Sequence, residues 1–249
     1  MHTPIGPSLA LALGAADALG TAAATVLKMA WDRYLDSGRF DRRFRRLVEK
    51  GLVELAAVSG TERIFRLTEI GREAAAGGRD PDARWARPWD GLWRLAVFDV
   101  PEIHASRRKR LRRILAAADF GHLQDSAWLS PDTADELRAR LRGVASEVET
   151  LTFLESRPCS GESDADLVQG AWNFARINRR YEHYLEVLRN RPRWYEAKAW
   201  PAWLRVEWNA WRHAVRADPL LPAPLLPSDY RGRAAWAERC AFLKSVVNR

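Results

Sequence analysis

Sulfur is scarce in this chain. Its 249 residues hold two cysteines, Cys159 and Cys240, far apart and not in a metal-type pair. That argues against a disulfide framework and a cysteine-built zinc site, and makes a reducing cytosol the expected compartment. His104, His122, His183 and His213 show no metal-ligand spacing. There is no Walker loop, no dinucleotide glycine fingerprint and no serine nucleophile elbow, so the usual marks of nucleotide-dependent and acyl-transfer enzymes are missing. No catalytic residue, resident metal or cofactor is expected. No apolar run is long enough to span a bilayer. The segment Leu9 to Ala16 is apolar, but it lacks a basic flank before it and Asp17 interrupts it. It reads as a buried first helix rather than a signal peptide.

What the chain does have is arginine in one place. Overall it carries 40 Lys+Arg against 32 Asp+Glu, a formal charge of +8. The segment Arg39 to Gly51 concentrates this excess. At helical spacing, Phe40, Phe44, Leu47 and Val48 share one side, and Arg39, Arg42, Arg45 and Arg46 the other, with Arg43 and Lys50 at the flank. A helix docked by so narrow an apolar stripe presents a cationic rod of the width that fits a DNA major groove. A solvated surface helix is the plain alternative.

The surroundings favour the DNA reading. Gly51 is placed to cap the helix. Leu52–Val58 and Arg63–Thr68 read as two strands joined by a turn at Ser59-Gly60-Thr61-Glu62. Two helical stretches, Ser8–Leu19 and Ala22–Leu35, precede the arginine segment. Helices, then a glycine, then a hairpin is the order of a winged helix-turn-helix. Arg63 and Arg66 on the wing are candidates for phosphate or the minor groove. They could instead pair with Glu54 or Glu62 across the hairpin. Thr68 is a plausible N-cap for a short helix over residues 68–74, and residues 77–82 read as a linker.

A second unit begins near Trp89. The expected elements are a strand over 92–98, a helix over 106–118 and two short strand pieces at 120–123 and 126–130. A helix over 131–142 and a strand over 149–155 follow. This order approaches a ferredoxin-like sandwich, with its last strand not evident. The helix over 106–118 has the inward stripe Leu111, Ile114, Leu115 and Ala118. Its outer positions include Arg107, Arg108 and Arg112, candidates for an effector's phosphates or a second nucleic-acid contact. An ordinary soluble face is the competing reading. The remainder reads as helical: one long helix over 166–189, another from Pro201 to Val215, and a last one over 234–247. Between them, Asp218 to Pro227 holds four prolines and is expected to be an extended apolar strap. Trp194, Tyr195, Trp200, Trp203, Trp208 and Trp211 could line an aromatic pocket, though helix-packing core is the commoner role.

Two motifs in these stretches carry a resemblance. One is Trp89-Asp90-Gly91-Leu92-Trp93-Arg94-Leu95-Ala96-Val97-Phe98-Asp99-Val100-Pro101-Glu102, with Arg107-Arg108-Lys109-Arg110-Leu111-Arg112-Arg113, Phe120-Gly121-His122-Leu123 and Trp128-Leu129-Ser130-Pro131 downstream. The other is Asp218-Pro219-Leu220-Leu221-Pro222 with Leu225-Leu226-Pro227. With them the chain resembles the PaaX family of bacterial transcriptional repressors. The resemblance implies an α+β protein of three parts: a winged helix-turn-helix DNA-binding domain at 1–87, a ferredoxin-like domain at 88–160 resembling a CRISPR adaptation subunit and serving dimerisation, and a helical domain at 161–249. It implies a cytoplasmic homodimer on a palindromic double-stranded DNA operator, relieved by an aryl- or acyl-coenzyme A effector. The same resemblance raises an alternative. In the CRISPR subunit an aspartate at the end of the first strand can hold a divalent metal across a dimer and support phosphodiester cleavage, and Asp99 stands at that position. A metal-dependent nuclease is therefore the competing function, although one carboxylate per chain is a thin basis for it.

Overall fold

A computed structural model describes residues 47–59, 62–75, 78–141, 150–193 and 199–247. The expected first two helices and Arg39, Arg42, Arg43, Arg45 and Arg46 lie outside the described residues. The described residues fall into two compact units. One is drawn from Met1–Pro81, Asn178–Asp218 and Arg231–Arg249, the other from Asp82–Ile177 and Pro219–Tyr230.

The first unit opens in the last turn of a helix, at residues 47–49. Gly51 ends that helix with φ of 64°. Its N–H bonds the Val48 carbonyl at 2.8 Å, and the Leu52 N–H bonds the Leu47 carbonyl at 2.9 Å. These two bonds close a Schellman cap, a geometry that a side chain at residue 51 would strain. Leu47 is buried, as the expected stripe requires, whereas Val48 is exposed. The chain then forms β1 (Val53–Ser59) and β2 (Glu62–Leu67), an antiparallel hairpin with a register shift between Leu55 and Ala57. Helix α1 (Glu69–Ala75) follows. The Thr68 hydroxyl accepts from the Gly71 N–H at 3.0 Å, so Thr68 is the N-cap. The same hydroxyl donates to the Gly51 carbonyl at 2.5 Å, and the Thr68 N–H bonds the Leu52 carbonyl at 3.1 Å. One threonine thus ties the end of the helix, the base of the hairpin and the start of α1.

Helix α2 (Pro81–Ala86) occupies part of what composition reads as a linker. Proline suits the first helical position, and the short segment gains burial through Trp85. The second unit's sheet consists of β3 (Trp93–Asp99), β4 (Gly121–Gln124), β5 (Ala127–Ser130) and β6 (Thr150–Ser156). Helices α3 (Ala105–Ala117) and α4 (Asp135–Leu141) connect them. The strand order is β4-β5-β3-β6, with all pairs antiparallel. The last strand, not evident by pattern, is accounted for: the two short pieces form separate strands, which completes a β-α-β-β-α-β order. One sheet face packs on α3 and α4 through Ala96, Phe98, Val100, Leu111, Leu115, Leu137 and Leu141. Buried area of this kind contributes roughly 25 cal/mol per Å².

The long helix read over 166–189 is two helices, α5 (Asp164–Ala171) and α6 (Phe174–Arg189). Trp172 is extended between them, and Asn173 starts α6 by accepting from the Arg176 N–H at 2.9 Å. Ser163 caps α5 through a reciprocal capping box with Asp166. The break lets α5 lie against β4. There an added Cβ on Gly121 would sit 2.5 Å from the Trp172 ring and 2.7 Å from the Ala171 Cβ, so only glycine fits.

In the first unit, α6 packs with α7 (Trp200–Val215) and α8 (Gly232–Val247) around Tyr181, Tyr184, Trp211, Ala214 and Phe242. A charge pair lies inside this core: Glu207 and Arg239 meet at 3.1 Å and are 0% and 2% exposed. The Arg239 guanidinium sits 5.1 Å from the Trp211 ring centre and 5.8 Å from that of Trp208, and Tyr184 donates to Glu207 at 3.0 Å. Burial, reinforced by Glu207, pushes the Tyr184 phenol well above its ordinary range. Trp203 packs on Phe242, and Trp211 is wholly buried. Trp211 is therefore core, while Trp203 is half-buried at its edge. The proline segment is extended and largely buried, with a single 3-10 turn at Ala223–Leu225, where Pro224 needs no amide donor.

Candidate functional site

The described residues include two surfaces with chemistry on them, both in the unit built on the four-stranded sheet. The first is a cleft of about 640 Å³ lined by Trp89, Asp90, Arg94, Phe120, Pro131 and Asp132, with Arg84 and Asp119 also on its wall. Its charged groups are interlocked. Arg87 forks onto Asp132, with Nε to Oδ1 at 2.6 Å and Nη2 to Oδ2 at 2.9 Å, and it also donates to the carbonyls of Arg84 and Leu220. Arg84 bridges Asp119 at 2.9 Å and Asp132 at 3.4 Å. Arg94, itself buried, forks onto Asp90 at 2.8 and 2.6 Å. The Arg94 guanidinium beside Asp90 holds that carboxyl at about 2, well below the usual carboxylate range. Asp90 in turn pushes Arg94 above its ordinary value.

Asp119 departs from local rules. It closes α3 in the left-handed region, with φ of 63°. The Phe120 N–H bonds the Leu115 carbonyl at 3.1 Å and the Asp119 N–H bonds the Ala116 carbonyl at 3.2 Å, the two bonds of a Schellman cap. Glycine is the ordinary residue there, and a carboxylate at a helix C-terminus opposes the helix dipole. Arg84 supplies the compensating charge. Sequence reasoning had no signal for Arg84, Arg87, Asp119 and Asp132, because the pairs join residues far apart in the chain. Trp89, Asp90, Arg94, Phe120 and Pro131 were present in the quoted motifs, without any indication that they converge.

The second surface is α3 itself. Arg107, Arg108 and Arg112 are each partly exposed, and Lys109, Arg110 and Arg113 are exposed. The apolar side is as expected: Leu111 and Leu115 are buried, with Ile114 and Ala118 packed against the same core. Arg112 donates to the Asp125 carbonyl at 3.0 Å. Along one flank, Ala105, Arg108, Lys109, Arg112, Arg113 and Ala116 line an open trough of about 380 Å³.

On the wing, the register sets Arg63 opposite Val58 and Arg66 opposite Glu54. Both available roles for Arg66, a cross-strand pair and a nucleic-acid contact, begin from that position. Asp99 is exposed at the end of β3, opposite Thr150. Among the described residues, no group of three or more His, Cys, Asp or Glu could hold a metal ion, and no helix is long and apolar enough to cross a membrane. Nothing among these residues supports the nuclease reading of Asp99.

Comparison with known families bears on both surfaces. Residues 86–168 match the model described as the PaaX protein central Cas2-like domain, and residues 172–248 match that of the PaaX-like protein C-terminal domain. The chain belongs to the PaaX family. The first match takes in the sheet, α3 and nearly all of the cleft; the second takes in α6, the proline segment and α8. PaaX is a family of transcriptional regulators, and the chain is placed among them on these two domains. Among solved structures, the chain is similar in fold to the uncharacterized protein Rv0674 from Mycobacterium tuberculosis. The identity is 21%, the TM-score is 0.58, and 99% of each chain is covered. No curated protein sequence matches it.

Proposed function

We propose that this PaaX-family protein is a dimeric, sequence-specific DNA-binding repressor, relieved by an aryl- or acyl-coenzyme A thioester. The observation that carries the reading is the hydrogen-bonded junction at Gly51 and Thr68. A helix ends in a Schellman cap, a β-hairpin follows at once, and one threonine locks the two together. In a winged reading head this junction sets the angle between recognition helix and wing. Arg39, Arg42, Arg43, Arg45 and Arg46 are assigned to the major groove and adjoining phosphates. Arg63 and Arg66 are assigned to phosphate or the minor groove at the wing.

The second copy is expected to meet the sheet. Val97 and Leu154 are exposed apolar residues, and Leu154 stands opposite the partly exposed Leu95. For the effector, the cleft is in the size range of small-molecule sites, and Trp89 and Phe120 are among its lining residues, apolar partners for an aryl or acyl group. Its carboxylates outnumber its arginines on the wall, so the phosphates of such a ligand would lie outside it.

Footprinting the full-length protein across its host's genomic DNA tests the proposal. A recurrent palindromic site is expected, with occupancy reduced by the thioester. Arg45→Ala with Arg46→Ala should flatten the dependence of log affinity on log salt by about 2, since each lost phosphate contact removes about 0.9. Uniform, motif-free occupancy would remove the repressor reading. Magnesium-dependent cleavage abolished by Asp99→Ala would replace it with the nuclease.

A further inference from the structure

The cleft arginines each have a carboxylate. The cations on the trough flank of α3, at 108, 109, 112 and 113, do not share that arrangement among the described residues. From Ala105 to Ala117 the helix carries Arg107, Arg108, Lys109, Arg110, Arg112 and Arg113 and no Asp or Glu. Like charges four apart on a helix, as at 108 with 112 and 109 with 113, destabilise it. On the trough flank, Arg108, Lys109 and Arg113 make no hydrogen bond or ion pair among the described residues, and Arg112 reaches a carbonyl with its Nε left buried without an acceptor.

We infer that this flank of α3 is a second grip on duplex DNA, holding the sugar–phosphate backbone away from the bases read by the winged helix. The inference rests on the reading of the protein as a DNA-binding regulator. Three observations select this occupant. First, the four flank cations span five helical steps, about 7.5 Å, and duplex DNA presents about four phosphate charges over that length, about two on each strand. Second, the trough is open and lined by a single helix. An extended polyanion can lie along it, whereas a small phosphate ligand would be left without the enclosing walls that such sites have. Third, its floor offers alanine at both ends and no aromatic or large aliphatic anchor, which an acidic protein partner would need for a stable core contact.

The test uses the full-length chain and a fluorescein-labelled duplex of about forty mixed-sequence base pairs, with anisotropy followed between about 50 and 200 mM salt. The triple variant R108A/K109A/R113A should bind with a log–log salt slope shallower by about 2–3, and at least about tenfold more weakly at the lower salt. The exchange R108K/R113K should keep the wild-type slope, because lysine retains the charge. These side chains are on the surface, and an unchanged melting temperature checks that the variants fold. If the wild type binds the duplex and the triple variant keeps its slope, the second grip is overturned while the DNA-binding reading stands. If the wild type binds no duplex at any salt, both fall. Coenzyme A binding that the triple variant loses, with duplex affinity untouched, would assign the flank to a small ligand and overturn the inference. So would capture of polyglutamate in place of DNA.

Discussion

The arginines around the cleft and those of α3 belong to the same compact unit, within some thirty positions of one another, yet their surroundings are opposite. Arg84, Arg87 and Arg94 are held by Asp119, Asp132 and Asp90. On the trough flank of α3, Arg108, Lys109 and Arg113 meet no carboxylate among the described residues. An arginine pinned by bidentate bonds shapes a wall; a bare one on a helix flank keeps its charge available to an outside anion. The helical unit adds the limiting case, Arg239, which is buried against Glu207 and ringed by tryptophans. Composition counts all of these equally, so net charge says little about which of them can meet nucleic acid.

Glu207→Ala would leave Arg239 buried without its partner and should cost about 3–5 kcal/mol in chemical denaturation. A change under about 1 kcal/mol would mean that the pair is hydrated and not sealed. Asp132→Ala releases both Arg84 and Arg87 at a half-exposed position, so a smaller loss of about 1–2 kcal/mol is expected, with the cleft wall loosened. Ligand affinity at the cleft unaffected by that loosening would argue against the cleft as the effector seat.

Asp90 sharpens the comparison through pH. Its carboxyl titrates at about 2 when folded, against an ordinary 3.8. A depressed pKa contributes stability that is present above the ordinary value and lost as pH falls through the folded one. Wild-type stability should therefore fall more steeply than that of Asp90→Asn between about pH 4 and 2. Parallel urea-denaturation profiles for the two proteins would show that the Arg94 fork does not persist in solution. The smallest effect belongs to α3. R108A/K109A/R113A should leave folding stability unchanged or raise it by at most about 1 kcal/mol, because two like-charge pairs are relieved and no partner among the described residues is lost. A loss above 1 kcal/mol would reveal a structural role for that flank.

Much of the fold was legible because its elements obey local rules. The stripe Leu111, Ile114, Leu115 and Ala118 marked α3 at helical period, and the strand at Trp93–Asp99 is a compact apolar run stopped by proline. Gly51 and Thr68 carried their capping roles on their faces. The split between α5 and α6 was not legible. Trp172 and Asn173 fall within an unbroken helical pattern, and the turn forms because Trp172 seats over Gly121 on the sheet. Val48 falls on the apolar stripe by helical period but is exposed, since four positions of one stripe need not all reach a core. The cleft was least legible: Asp90 and Arg94 lie four positions apart, but the carboxylates at 119 and 132 find their arginines across 35 and 45 positions, which no short window contains.

By itself the sequence determined the elements, their order, the concentration of arginine and the family, since those follow from the period, the turn chemistry and the motif residues along the chain. Which arginines are neutralised and which remain open to a polyanion was decided by the tertiary structure alone. A charge's reach depends on what stands within a few ångströms of it, and that distance is set by how the chain folds back on itself.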